Sequence, residues 1–207
     1  CEVVEVEKDS DEFALVEKAL ITTLKSNGPK IELVDLFSVE REGERDNFND
    51  LPNRTLLWHA TRLSNYASIL KTGLKLPPAD APSSGYSFGK GIYFYDMASK
   101  AATFCAPNGS SGTGVFLLCD VALGNSKVLN RPNANASTLE EGIQSVKGAG
   151  RLAPAESKAE ECPEGYKVYI GPGVETEQKD SAFEVNEYVV YEPNQVQVKY
   201  LLKCRFT

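Results

Sequence analysis

The sequence holds a single histidine, a single methionine and a single tryptophan in 207 residues, and its five cysteines form no CxxC pair. With His59 the only imidazole, a Cys/His zinc array is not expected, and no metal is assigned. Cys119 in FLLCDV and Cys204 in LLKCRF sit in apolar runs, so they read as small reduced core residues, which favours a reducing compartment. No apolar run approaches the ~18 to 20 residues of a membrane span, and the opening Cys1-Glu2-Val3 does not resemble a signal peptide. A soluble domain without a membrane partner is expected. The chain does not open on methionine, so it reads as a segment of a longer polypeptide. Positive charge is also in deficit: 22 basic against 29 acidic residues leave a net charge of −7. Direct nucleic-acid binding is therefore not expected of this domain and would fall to others upstream. Phosphate-binding fingerprints are incomplete as well. Gly89-Lys90-Gly91 lacks the third glycine and precedes a strand, and no Gly-Lys-Ser/Thr is present, so a Rossmann hydride-transfer enzyme is not expected. The Asn-x-Ser/Thr triplets at Asn53, Asn108 and Asn135 read as chance matches.

What is present fits one domain over 1–207, with short strands and about three helices that do not alternate as βαβ units, hence an α+β class. Asp9 and Glu12 have the spacing of a helix start, and Phe13, Val16, Leu20 and Leu24 recur at helical intervals up to Asn27-Gly28-Pro29. Strands are expected over Ile31–Glu40, Arg54–His59, Gly91–Phe94 and Gly114–Val121. Ser64 is the expected cap of a helix that Gly73 stops, and Asp96 that of a helix reaching about Cys105. Residues 77–89 read as a loop, and 130–163 as a long turn-rich excursion with one short helix at most. The final strands, Glu187–Tyr191 and Val196–Phe206, are joined by Glu192-Pro193-Asn194 in a way consistent with a hairpin.

Two polar residues stand out at strand ends. His59 closes the apolar run Leu56-Leu57-Trp58 and is followed by Thr61 and Arg62, a hydroxyl and a guanidinium suited to a sugar or phosphate. Taken alone, such a histidine is more often a structural hydrogen-bonding residue. Glu187 stands at the mouth of the apolar strand that runs on to Tyr191, where its alternative reading is an edge-strand charge that discourages aggregation.

Five segments together resemble, in order and along nearly the whole chain, the transferase domain of the poly(ADP-ribose) polymerases. They are VDLFSVEREGE (Val34–Glu44), NRTLLWHATR (Asn53–Arg62), APSSGYSFGKGIYFYDMASKAATFC (Ala81–Cys105), SVKGAGRLAP (Ser145–Pro154) and NEYVVYEPNQVQVKYLLKCRF (Asn186–Phe206). The resemblance implies a split, mainly antiparallel sheet with an NAD⁺ cleft between its halves. It implies catalytic roles for Glu187, His59, Tyr93 and Lys100: His59 bonding the adenosine ribose, Tyr93 stacking on nicotinamide, Glu187 bonding the 2′-hydroxyl of the nicotinamide ribose, and Lys100 standing near that carboxylate. Phe104 would supply the second face for nicotinamide, and Ala60 the backbone clamp on its carboxamide. Thr61, Asn65, Ser68 and Lys75 match positions on the adenosine and phosphate side, Tyr86 belongs to a flap formed by 77–89, and Phe94 and Ala101 complete the expected NAD⁺ contacts. A core role for Tyr93 and a plain exposed role for Lys100 are the alternatives.

Three departures cluster at the nicotinamide end: Ala60 replaces a family glycine, Ala101 a serine and Phe104 a tyrosine. Lys75 and Ser68 replace an arginine and a glycine on the adenosine side. Loss of the serine hydroxyl should cost on the order of 1 kcal/mol of binding, so nicotinamide-mimicking inhibitors are expected to bind less tightly than to a member with the usual residues. The resemblance implies an NAD⁺ ADP-ribosyltransferase that modifies protein acceptors and extends poly(ADP-ribose), with NAD⁺ as co-substrate and a nuclear address. Two other readings remain: a non-catalytic NAD⁺-binding or interaction module of the same fold, and an NAD⁺ glycohydrolase.

Overall fold

The protein is described by a computed structural model covering residues 1–78, 80 and 85–207. The flap expected over 77–89 therefore lies partly outside the described residues. In chain order the elements are β1 (Glu2–Glu5), α1 (Asp11–Thr22), β2 (Ile31–Glu40), β3 (Arg54–Ala60), α2 (Tyr66–Thr72), β4 (Ile92–Tyr95), α3 (Ala98–Ala102) and β5 (Thr113–Ala122). There follow β6 (Ser126–Leu129), β7 (Ser145–Gly148), β8 (Leu152–Pro154), β9 (Ala159–Glu161), β10 (Lys167–Tyr169), β11 (Gly173–Glu175), β12 (Glu187–Val190) and β13 (Val196–Phe206). Among the described residues no helix is long and apolar enough to cross a membrane.

The main sheet runs β1-β2-β13-β5-β3-β4-β12-β7-β6, with β10 added beside β3 and β9 beside β10. Its pairings are antiparallel except β3 with β10 and β6 with β7, in keeping with the expected α+β class and mainly antiparallel sheet. Period-two alternation divides its apolar side chains between two faces. On β5, Phe116 and Leu118 join one core with Trp58 of β3 and the α1 residues Phe13, Val16 and Leu20. The intervening Leu117 and Cys119 join another with Leu57, Phe94 and Tyr66 of α2. Cys119 and Cys204 are fully buried, as their apolar settings imply.

The sheet forks at β3. This strand pairs with β5 along its whole length, from Arg54↔Ala122 to Ala60↔Phe116. Its opposite edge meets β10 only at Thr55↔Lys167 and β4 only at Trp58↔Tyr95. Beyond that one rung β3 and β4 diverge, and a cleft opens at the gap between them.

Several local expectations need correction. The cap of α1 is Ser10, whose hydroxyl accepts from Phe13 N at 3.1 Å; Asp9 lies outside the helix. Ser64 falls inside a 3₁₀ turn over Leu63–Asn65 and caps nothing. Asp96 is not a cap either: its carboxylate accepts from Asn186 at 2.7 Å and Tyr188 at 3.1 Å. Ala98 N, at the start of α3, instead donates to Thr23 Oγ1 at 3.2 Å, so the residue that ends α1 begins α3. Residues 130–163 hold strands, β7 among them in the main sheet between β12 and β6. β12 and β13 form no hairpin. β12 pairs with β4 and β7, whereas β13 lies between β2 and β5, so the turn after β12 carries the chain from one half of the sheet to the other.

Candidate active site

The cleft has a volume of about 780 Å³, inside the range of roughly 300–1,000 Å³ typical of small-molecule sites. Its lining includes His59 and Ala60 at the end of β3, the polar residues Thr61, Asn65, Ser68 and Lys75, and the aromatic residues Tyr86, Tyr93, Tyr95 and Phe104. Because β3 and β4 part at Trp58↔Tyr95, side chains from both faces of the sheet reach it.

His59 is fixed from one side. Its Nδ1 lies 2.9 Å from the Tyr93 carbonyl, which can only accept, so Nδ1 carries the proton and Nε2 keeps a lone pair. The Phe94 ring packs against the imidazole at 5.7 Å, and burial lowers the histidine pKa. A neutral imidazole with a free acceptor nitrogen suits a hydroxyl donor such as a ribose. Thr61 and Asn65 are coupled, Asn65 Nδ2 donating to Thr61 Oγ1 at 2.7 Å. Gly73 closes α2 with φ +76, and a Cβ there would stand 2.6 Å from the Arg41 guanidinium. The glycine thus lets Arg41 approach the end of the helix that bears Ser68.

Tyr93 is held by its hydroxyl, which donates to Gly89 O at 2.7 Å and accepts from Phe88 N at 2.9 Å. Burial pushes its pKa up to about 12, and its ring lies 5.7 Å from that of Tyr86. Two residues along, Tyr95 stacks on Phe104 with centroids 5.6 Å apart and planes 12° apart.

Glu187 opens β12, an interior strand, opposite Tyr95 on one side and Gly148 on the other, so the edge-strand alternative is set aside. Its side chain is nearly buried, and Lys100 Nζ of α3 stands 3.7 Å from Oε1. Among the described residues, those lining the cleft include neither Glu187 nor Lys100. Two other expected contacts also stand back from it. Phe94 is fully buried in the core, supporting His59 from behind, and Ala101 is fully buried in α3.

Sequence reasoning missed Tyr95, although the period-two pattern of Ile92-Tyr93-Phe94-Tyr95 sets it on the same face as Tyr93. It also missed the buried Asp96–Asn186–Tyr188 network directly behind β4. There Asp96 Oδ1 is left without a partner, and burial raises the carboxyl pKa to about 6.

Comparison with known proteins places the chain in a family. The family described as "Poly(ADP-ribose) polymerase catalytic domain" matches residues 10–206. The chain is similar to "Poly [ADP-ribose] polymerase 1" of Danio rerio, at 42% identity over 97% of the chain and 20% of that protein. It is similar to "Poly [ADP-ribose] polymerase 2" of Homo sapiens, at 41% over 100% of the chain and 36% of that protein, and to the protein of the same name from Arabidopsis thaliana, at 39% over 100% and 33%. The chain thus spans between a fifth and about a third of the length of these relatives. A match running through all but the first nine residues and the last places it without ambiguity: the chain belongs to the poly(ADP-ribose) polymerase catalytic-domain family.

Proposed function

We propose that the chain is a single catalytic domain that cleaves the nicotinamide–ribose bond of NAD⁺ and transfers ADP-ribose to protein side chains and to growing poly(ADP-ribose). The observation that carries this reading is the pinned His59 imidazole. With Nδ1 committed to Tyr93, Nε2 is the ring nitrogen left to bond a ligand, and a lone pair there favours a hydroxyl donor such as a ribose over an anionic or carbonyl group. Thr61, Asn65, Ser68 and Lys75 supply the hydroxyls, amide and cation that the rest of an adenosine diphosphate calls for.

At the other end, departure of nicotinamide returns the bonding pair to the ring nitrogen and leaves an oxocarbenium-like sugar. Negative charge beside the ribose stabilises that species, as in glycoside hydrolysis, and a bond from its 2′-hydroxyl to Glu187 strengthens as the charge develops. An acceptor hydroxyl then attacks the anomeric carbon and gives its proton to the same carboxylate. Lys100, 3.7 Å away, orients the carboxylate by charge. Nicotinamide-mimicking inhibitors would compete at the Tyr93 end.

Incubation with labelled NAD⁺ tests the reading. Long ladders of modified protein are expected, a single discrete shift would indicate mono-transfer, and release of free ADP-ribose alone would indicate a glycohydrolase. A second reading, a non-catalytic NAD⁺-binding module, draws on the wholly apolar burial of Ala101, which offers no hydroxyl to the carboxamide. It predicts NAD⁺ binding with no transfer.

A further inference from the structure

We infer that Tyr95 occupies the slot the nicotinamide ring would enter, so that this one side chain sets how well the site takes the leaving-group half of NAD⁺. The inference rests on the NAD⁺ reading above and adds an internal competitor to it. A planar ligand held between Tyr93 and Phe104 needs a free face on each. Tyr95, projecting from the same side of β4 as Tyr93, lies nearly parallel to Phe104 at 5.6 Å, the offset stack that aromatic pairs prefer. Tyr95 is 6% exposed, whereas Phe104 is 43% exposed, so the inner position of the stack belongs to the chain's own tyrosine.

The same ring stands between the cleft and Glu187. Glu187 and Tyr95 are direct cross-strand partners and therefore neighbours on one face of the sheet. Tyr95 lines the cleft, while among the described residues Glu187 does not. Lys100 spans both, its Nζ 5.9 Å from the centre of the Tyr95 ring and 3.7 Å from the Glu187 carboxylate. Ala60 and Ala101 share the apolar core against which Tyr95 packs, an environment suited to a phenyl body and poor for a carboxamide.

The ring is also replaceable. Tyr93 is anchored by two hydrogen bonds through its hydroxyl, whereas the Tyr95 hydroxyl makes none among the described residues. What holds Tyr95 is packing, which an incoming ring of similar shape can replace.

The experiment is calorimetric titration of the native domain, Tyr95→Ala and Tyr95→Val with nicotinamide, ADP-ribose and NAD⁺. The native domain should bind ADP-ribose at least as tightly as NAD⁺. Both variants should bind nicotinamide about tenfold more tightly, the value of one aromatic stack, while keeping the native affinity for ADP-ribose. Native binding of NAD⁺ well above that of ADP-ribose overturns the inference, with no variant needed. So does nicotinamide affinity that is unchanged or lower in a variant that still binds ADP-ribose. Failure of the native domain to bind ADP-ribose at all is a different result, one that removes the NAD⁺ reading and this inference with it.

Discussion

His59 Nδ1 lies 2.9 Å from the Tyr93 carbonyl, across the gap where β3 and β4 separate. Extending the Trp58↔Tyr95 register by two residues sets Ala60 opposite Tyr93, so an imidazole engages a carbonyl at the point where the ladder stops. This contact makes the histidine's protonation state a property of the backbone. Nitrogen-15 NMR should find the proton on Nδ1 at neutral pH. Burial holds the pKa below the ordinary 6.5, so ADP-ribose affinity should stay level from pH 8 to 6.5 and weaken only in more acidic solution, as Nε2 loses its lone pair. Weakening that begins above pH 7 would contradict the assignment. Replacing His59 by Phe should cost about tenfold in ADP-ribose affinity, the worth of one hydrogen bond whose partner is left unpaired.

Glu187→Gln keeps the shape of the side chain and removes its charge. Loss of a preorganised group aimed at developing charge typically lowers turnover about a hundredfold or more, so chain elongation should vanish while ADP-ribose affinity remains near native. Lys100→Met should lower turnover as well. Its effect on stability should be smaller than that of removing Arg54 from Asp120, because the lysine is a third exposed and its 3.7 Å contact with Glu187 is no hydrogen bond. Denaturant melts beside single-turnover kinetics separate the two effects.

Asp96 gives the fold an unusual pH dependence. Its carboxyl pKa rises from 3.8 to about 6 because burial outweighs the Asn186 and Tyr188 hydrogen bonds. The folded state therefore holds this proton more tightly than the unfolded chain, and the contribution of Asp96 to stability falls as pH rises from about 4 to about 6. Asp96→Asn abolishes that dependence. Relative to the variant, the native domain should lose on the order of 3 kcal/mol between pH 4 and pH 7, read from urea melts at each pH.

Arg54 and Asp120 tie the start of β3 to the end of β5 through a two-pronged contact, one arm of which, Nε to Oδ1, measures 3.2 Å. Asp120 is fully buried, and burial raises its pKa despite the guanidinium. Arg54→Met strands that carboxylate and should destabilise the domain by about 3–5 kcal/mol. Replacing both residues with apolar ones should recover much of the loss, a comparison best made as a double-mutant cycle.

Legibility in the sequence followed the physics of each segment. β2, β3 and β5 were readable because seven to ten residues of apolar pattern carry their own signal. β7, β8 and β9 were not: at three or four residues (SVKG, LAP and AEE), each is too short to carry an alternating apolar pattern, and they are strands only because neighbours complete their hydrogen bonds. The β12–β13 turn looked like a hairpin because local turn chemistry does not record which partners each strand will find. At the site, His59, Thr61, Asn65, Ser68, Lys75, Tyr86 and Tyr93 were named from sequence and share one cleft. Tyr95 was passed over because an aromatic in an apolar strand reads as core, which by burial it also is.

The single Trp58↔Tyr95 rung has a consequence for how such a site can vary. Each half of the sheet keeps its own ladders, seven residue pairs for β3 with β5 and four for β4 with β12, and neither depends on the width of the gap between them. Substitutions that widen, narrow or fill that gap therefore leave the scaffold's cohesion largely untouched. Drift can retune what the cleft admits, one side chain at a time, while the architecture on either side is inherited intact.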